Sequence, residues 1–132
     1  MKNIWYAALF ITDKNKLIEW FPPKHSKVFA HHSTIAFKPE SLEGIEVGKK
    51  WKIKIIGRTF DTKGDALLVE NIKSKNKFPH ITLSCAIDIG PIYSNELLEK
   101  ANKENTIEYF SEPYYIDAIE GYETLEEKVV LS

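Results

Sequence analysis

The chain has 132 residues, of which 43% are hydrophobic and 28% charged, and this composition indicates one globular domain over residues 1–132 rather than a disordered or fibrous protein. Its 18 basic and 19 acidic residues give a net charge of −1, which excludes the broad basic surface of proteins that bind duplex DNA. One cysteine, no secretory signal and no apolar stretch of membrane-spanning length indicate a cytoplasmic protein with no membrane partner.

The first half of the chain alternates strand-like and helix-like segments. An apolar, aromatic-rich run predicts a strand at residues 4–11, and Thr12 or Asp13 then offers an N-cap for a short helix. After two prolines and a loop, residues 32–37 predict a second strand. In residues 50–60, apolar side chains at 51, 53 and 55 alternate with lysines at 50, 52 and 54, which predicts a half-buried strand.

The second half is predicted to begin with a hairpin. The expected elements are a turn at 61–65, its partner strand at 66–72, a strand at 80–87, a helix from 95 to about 103 capped by Ser94, a strand at 114–119 and an edge strand at 128–131. Strands joined by hairpin-type turns and mixed with two helices predict an α+β fold.

Two His-x-Thr triplets, His32-Ser33-Thr34 and His80-Ile81-Thr82, are the most informative feature of the sequence. Residues two apart in a strand lie on the same face, so each triplet presents an imidazole beside a hydroxyl. If the fold brings the two strands side by side, two imidazoles and two hydroxyls converge on a space that suits one phosphate.

This set of groups fits phosphodiester cleavage without a metal or another cofactor. Because free histidine has a pKa near 6.5, a pair can hold one neutral ring as a general base and one protonated ring as a general acid. Thr34 and Thr82 would donate hydrogen bonds to the non-bridging phosphate oxygens. Either His32 or His80 can take either role.

Further candidates lie close to the triplets in the sequence. The possible substrate-contacting residues are Tyr6, Lys24, His25 and Lys77. Arg58 is the only arginine, and so the only candidate for bidentate capture of a phosphate.

Three other interpretations remain open. The histidines could be partly buried structural residues in strands where threonine is simply a good β-former. They could belong to a zinc site formed with a carboxylate by His25, His31, His32 and His80, although His31 and His32 are expected on opposite strand faces. They could also line a non-catalytic cleft that sequesters a nucleotide or an RNA end.

The paired triplets resemble those of the 2H phosphoesterase superfamily. Four segments are similar to its RNA-ligase-associated, RNA-repair-like branch: YAA (6–8), FPPKH (21–25), HSTIAF (32–37) and PHITLS (79–84). The resemblance implies a bilobal α+β fold, with two antiparallel sheets related by pseudo-twofold symmetry around a central cleft and flanked by helices.

The same resemblance implies a function. Members of the superfamily attack 2′,3′-cyclic phosphates at RNA ends or related nucleotide linkages, and some phage members cleave cyclic oligonucleotide signals of bacterial immunity. By resemblance, His32 and His80 match the acid/base pair, and Thr34 and Thr82 match the phosphate-binding hydroxyls. The expected partner is therefore a small nucleotide, a cyclic oligonucleotide or an RNA end.

Overall fold

A computed structural model describes residues 3–132 of the chain. Its elements, in chain order, are β1 (Ile4–Ile11), α1 (Lys14–Trp20), β2 (Lys27–Val28), β3 (His32–Phe37), β4 (Lys50–Phe60), β5 (Gly64–Glu70), β6 (His80–Cys85), α2 (Tyr93–Glu104), β7 (Glu108–Thr124) and β8 (Val129–Val130).

All eight of these strands belong to one antiparallel sheet. Its strand order is β2-β6-β5-β4-β7-β1-β3, and β8 pairs with β7 beside this path. The two ends of the order, β2 and β3, are consecutive in the chain and are separated only by residues 29–31. The sheet therefore curves so that its two ends meet.

Residues 29–32 form the seam at which these ends meet. The backbone N–H groups of Phe29 and Ala30 donate to the carbonyls of Leu83 and Thr82 in β6, at 2.8 and 2.9 Å. Ala30 then adopts a left-handed conformation with φ of 49°. From His32 onward the chain pairs with β1 instead of β6. The first residue of β3 thus lies at the seam beside β6.

The concave side of the sheet encloses the main hydrophobic core. Side chains from β1, β3, β4, β5, β6 and β7 meet there, together with Leu17 of α1 and with Phe21. Two smaller apolar clusters lie on the opposite face: one packs α2 against Ala66 and Leu68 of β5, and the other contains Tyr6, Ala8 and Phe10 of β1.

The expectation of two sheets in two lobes around a cleft is wrong. The long strands β4 and β7 pair with each other from Lys50↔Ile119 to Arg58↔Glu108, which joins all the strands into a single sheet. The expectation that helices flank the sheets is wrong in the same way, because the described chain is mostly antiparallel sheet with two helices.

Most individual elements are confirmed. The strands at 4–11, 32–37 and 50–60 form as predicted, and Asp13 caps α1 by accepting from the Lys16 N–H at 3.0 Å. One prediction in the second half is wrong: Ser94 is not the N-cap of α2, because the helix begins two residues earlier than expected, at Tyr93, with Ile92 at its N-cap. The strand expected at 114–119 forms, but as part of the longer, 17-residue β7.

Among the described residues, neither helix has the length and apolar character that crossing a bilayer requires.

Candidate active site

The side chains of both triplets point away from the main core. In β3, Ser33 and Ile35 are buried while His32 and Thr34 are half-buried on the other face. In β6, Ile81 and Leu83 lie in the main core, so His80 and Thr82 face the other way. The two histidines meet at the seam, between the α2 cluster and the Tyr6 cluster.

The seam explains why two residues 48 positions apart become neighbours. The Ala30 N–H is hydrogen-bonded to the Thr82 carbonyl. Because the two segments run antiparallel, the residue two positions after Ala30 lies opposite the residue two positions before Thr82. His32 therefore approaches His80. Electrostatic repulsion from His80 is also one of the causes that lower the pKa of His32, which agrees with the two rings being close together.

The His80 ring has a defined tautomer. Its Nδ1 lies 2.7 Å from the carbonyl oxygen of Phe78, and because a carbonyl can only accept, Nδ1 carries the proton. Nε2 of the neutral ring then has a free lone pair. Burial lowers the pKa of His80, and the bond to Phe78 opposes this shift. The neighbour of His80 in β5 is Leu68, which belongs to the apolar α2 cluster.

His32 is held by aromatic contacts. Its ring stacks on the Tyr6 ring, with the two centroids 4.5 Å apart. The centroid of the Phe10 ring lies 5.8 Å from that of His32. Burial lowers its pKa to about 3, and repulsion from His31 and His80 adds to this effect. His32 is therefore neutral at pH 7 in the protein without ligand.

Behind His32 lies a buried pair that the sequence analysis did not identify. The Tyr6 hydroxyl donates a short hydrogen bond to Glu123 of β7, and the same oxygen lies 3.4 Å from Nδ1 of His32. Burial raises the pKa of Tyr6, and the bond to Glu123 raises it further. Tyr6, expected to contact substrate, is only 6% exposed. Tyr6 therefore contacts the His32 ring and is not positioned on the surface to meet a substrate.

His31 does not follow the expected strand alternation. It precedes β3, and its ring meets that of His32 edge to face, with the two Nδ1 atoms 2.9 Å apart. One of these nitrogens must donate to the other. The expectation that His31 and His32 point to opposite faces is wrong because the backbone turns at Ala30, where φ is 49°.

The two threonines differ in what they offer a ligand. Within residues 3–132, the half-buried Thr34 hydroxyl makes no side-chain hydrogen bond, so it is available to a phosphate. The Thr82 hydroxyl lies 2.7 Å from the Ser94 hydroxyl and donates to the Pro91 carbonyl at 3.3 Å. Thr82 must exchange one of these bonds before it can donate to a phosphate.

Three other candidates from the sequence make their contacts elsewhere. His25 Nε2 lies 2.8 Å from the Asp61 carbonyl, which ties the proline-rich loop to the β4–β5 turn. The exposed Lys24 places its ammonium over Phe60, 4.7 Å from the ring centroid. The ammonium of Lys77 lies 3.9 Å from a carboxylate oxygen of Glu99.

Arg58 also has a structural role. Its guanidinium makes two hydrogen bonds to the buried carboxylate of Asp65, at 3.0 and 3.1 Å, and a third to the Pro22 carbonyl. Ser84 donates to the same carboxylate at 2.9 Å. The only arginine that could have captured a phosphate instead joins β4, β5 and β6 through Asp65.

The described residues contain no group of three or more histidine, cysteine, aspartate or glutamate side chains arranged to hold a metal ion. The lone Cys85 is buried in β6, and burial raises the pKa of its thiol.

No family model matches this chain, and a search of curated proteins finds no match.

Proposed function

We propose that this chain is a metal-independent, two-histidine phosphodiesterase that acts in the cytoplasm on a nucleotide phosphodiester. Its substrate would be a 2′,3′-cyclic phosphate at an RNA end or a cyclic oligonucleotide of the kind that signals in bacterial immunity. One observation carries the proposal: His32 and His80, from distant parts of the chain, adjoin at one seam and both face away from the main core. The paired triplets of the 2H superfamily support the same assignment.

The proposed reaction uses one ring as base and the other as acid. The neutral ring takes a proton from water as the water oxygen attacks phosphorus. The protonated ring gives its proton to the ribose oxygen as the bond from phosphorus to that oxygen breaks. His80 is suited to either role, because its bond to Phe78 fixes Nδ1–H and directs Nε2 away from that contact.

The lowered pKa values agree with a site built to take an anion. Without ligand, burial lowers the pKa of both His32 and His80, and repulsion from His31 and His80 lowers that of His32 further, so both rings are neutral at pH 7. A phosphate between the rings favours their charged forms, because an opposite charge a few ångströms away raises a histidine pKa. Substrate binding would therefore bring a proton onto one ring and create the acid that the reaction needs.

The remaining groups would stabilise the phosphate and orient His32. Thr34 would donate to a non-bridging oxygen where negative charge develops, and Thr82 would do so after releasing Pro91. Tyr6 would hold the His32 ring by stacking on it, and Glu123 fixes the Tyr6 hydroxyl.

The test is product analysis in excess EDTA. The purified protein is incubated with the four nucleoside 2′,3′-cyclic phosphates and with a panel of cyclic oligonucleotides, and products are separated by chromatography. We expect one class to be converted into a linear or monoester product. Binding with recovery of every ligand intact after heating would instead support the non-catalytic binder, and activity that EDTA abolishes would support a metallohydrolase.

A further inference from the structure

A β-bulge in β3 changes which way the strand's last residue faces. The pairing with β1 runs Phe10↔His32 and Ala8↔Thr34 but then continues Ala7↔Ala36 and Tyr6↔Phe37, so Ile35 has no partner in β1. A bulge of this kind adds one residue and shifts the alternation of the side chains that follow it.

The extra residue of the bulge, Ile35, is held by contacts outside β1. The carbonyl of Ile35 accepts a hydrogen bond from the backbone N–H of Lys75 at 2.7 Å. The Ile35 side chain is 3% exposed and packs into the main core. Both the backbone and the side chain of the extra residue are therefore fixed.

The consequence concerns Phe37. Simple alternation would place it with Ser33 and Ile35 on the core face, but opposite Tyr6 it shares the face of His32 and Thr34. Its side chain is 62% exposed. The Lys38 ammonium lies 5.5 Å from the ring centroid. An exposed phenylalanine beside a cation, three residues from the candidate phosphate ligand Thr34, is a suitable surface for a nucleobase.

We propose that Phe37 is the platform on which a base of the substrate stacks while its phosphate lies between His32 and His80. This inference rests on the proposed function and deepens it by assigning the base-binding residue. Thr34 and Phe37 are separated by at most about 10 Å of strand, which is comparable to the reach of a nucleotide from phosphate to base. Stacking tolerates every base, so the platform would give affinity for nucleotides without strong base selectivity.

The test compares two substrates that differ only in the base. Wild type, Phe37→Ala and Phe37→Trp are assayed with adenosine 2′,3′-cyclic phosphate and with the base-free methyl riboside 2′,3′-cyclic phosphate. For Phe37→Ala we expect KM for the adenosine substrate to rise about 5- to 150-fold, the range of one lost base–aromatic stack, with kcat little changed. KM for the base-free substrate should stay within about twofold, and Phe37→Trp should retain adenosine binding.

Phe60→Ala is the matched control, because Phe60 is also exposed, at 51%, and also lies beside a lysine, but at the far end of β4. It should leave both KM values unchanged. If Phe37→Ala leaves KM for the adenosine substrate unchanged, or raises both KM values equally, the stacking role is wrong while the proposed activity stands. A wild-type protein that neither cleaves nor binds either compound overturns the assignment of Phe37, and the proposed activity is overturned as well if the panel of cyclic oligonucleotides is also recovered uncleaved.

Discussion

Protonation of His32 should destabilise the fold, and the size of this effect follows from its surroundings. In the folded protein the pKa of His32 is lowered to about 3, chiefly by burial, whereas an unfolded histidine has a pKa near 6.5. As the pH falls below about 6.5, the unfolded chain takes up the proton first, so the free energy of unfolding decreases. At about pH 5 the difference of about 1.5 pH units corresponds to a loss of about 2 kcal/mol.

The assay is urea unfolding of wild type and His32→Gln at about pH 7.5 and about pH 5. Carboxylates and the other histidines titrate in both proteins, so the difference between their two pH-dependent losses isolates His32. We expect wild type to lose about 2 kcal/mol more than the variant on acidification. Parallel losses in the two proteins, or an NMR titration of His32 with a pKa at or above 6.5, would refute the reasoning.

Three further predictions concern catalysis and stability. Because the pKa values of His32 and His80 are both lowered, the singly protonated pair exists in the free protein only below about pH 6.5, so kcat/KM should decline above that pH in a pH–rate profile. Tyr6→Phe keeps the aromatic ring but leaves the buried Glu123 without its hydroxyl partner. We expect kcat to fall with KM little changed, and the free energy of unfolding in urea to decrease by about 1–3 kcal/mol. Asp65→Ala removes the carboxylate that pairs with the largely buried Arg58 guanidinium and should cost about 3–5 kcal/mol in thermal unfolding. A loss below about 1 kcal/mol would contradict this prediction.

The faces of the triplet strands could be predicted from sequence because alternation is a local property. Ile81 and Leu83 mark the core side of β6, and this alone puts His80 and Thr82 on the other side. The same argument works in β3 as far as Thr34. It fails at Phe37, because the bulge depends on a hydrogen bond to Lys75, forty residues further along the chain.

The number of sheets could not be predicted from local alternation in the sequence. The pairing of β4 with β7 joins residues about sixty positions apart, and no local pattern in either strand specifies its partner. The resemblance to the 2H superfamily implied two lobes, whereas the chain forms one curved sheet whose ends meet at the seam.

The hydrogen bond between Tyr6 and Glu123 could not be predicted from the sequence for a similar reason. Glu123 reaches Tyr6 only because β7 pairs with β1 over a separation of 117 positions. An acidic residue beside Tyr122 at the buried end of a strand was the only local signal. Conversely, His25 lies close to the first triplet in sequence, yet its ring is bound to the β4–β5 turn.

The central claim is that His32 and His80 act together as acid and base, and the most direct test is the rate of cleavage by His32→Ala, His80→Ala and the double variant in excess EDTA. We predict that each single variant loses at least about 10²-fold in kcat, and that the double variant loses far less than the product of the two losses, because the pair works as a unit. Circular dichroism checks that all three remain folded. Near wild-type turnover by either folded single variant would contradict the account.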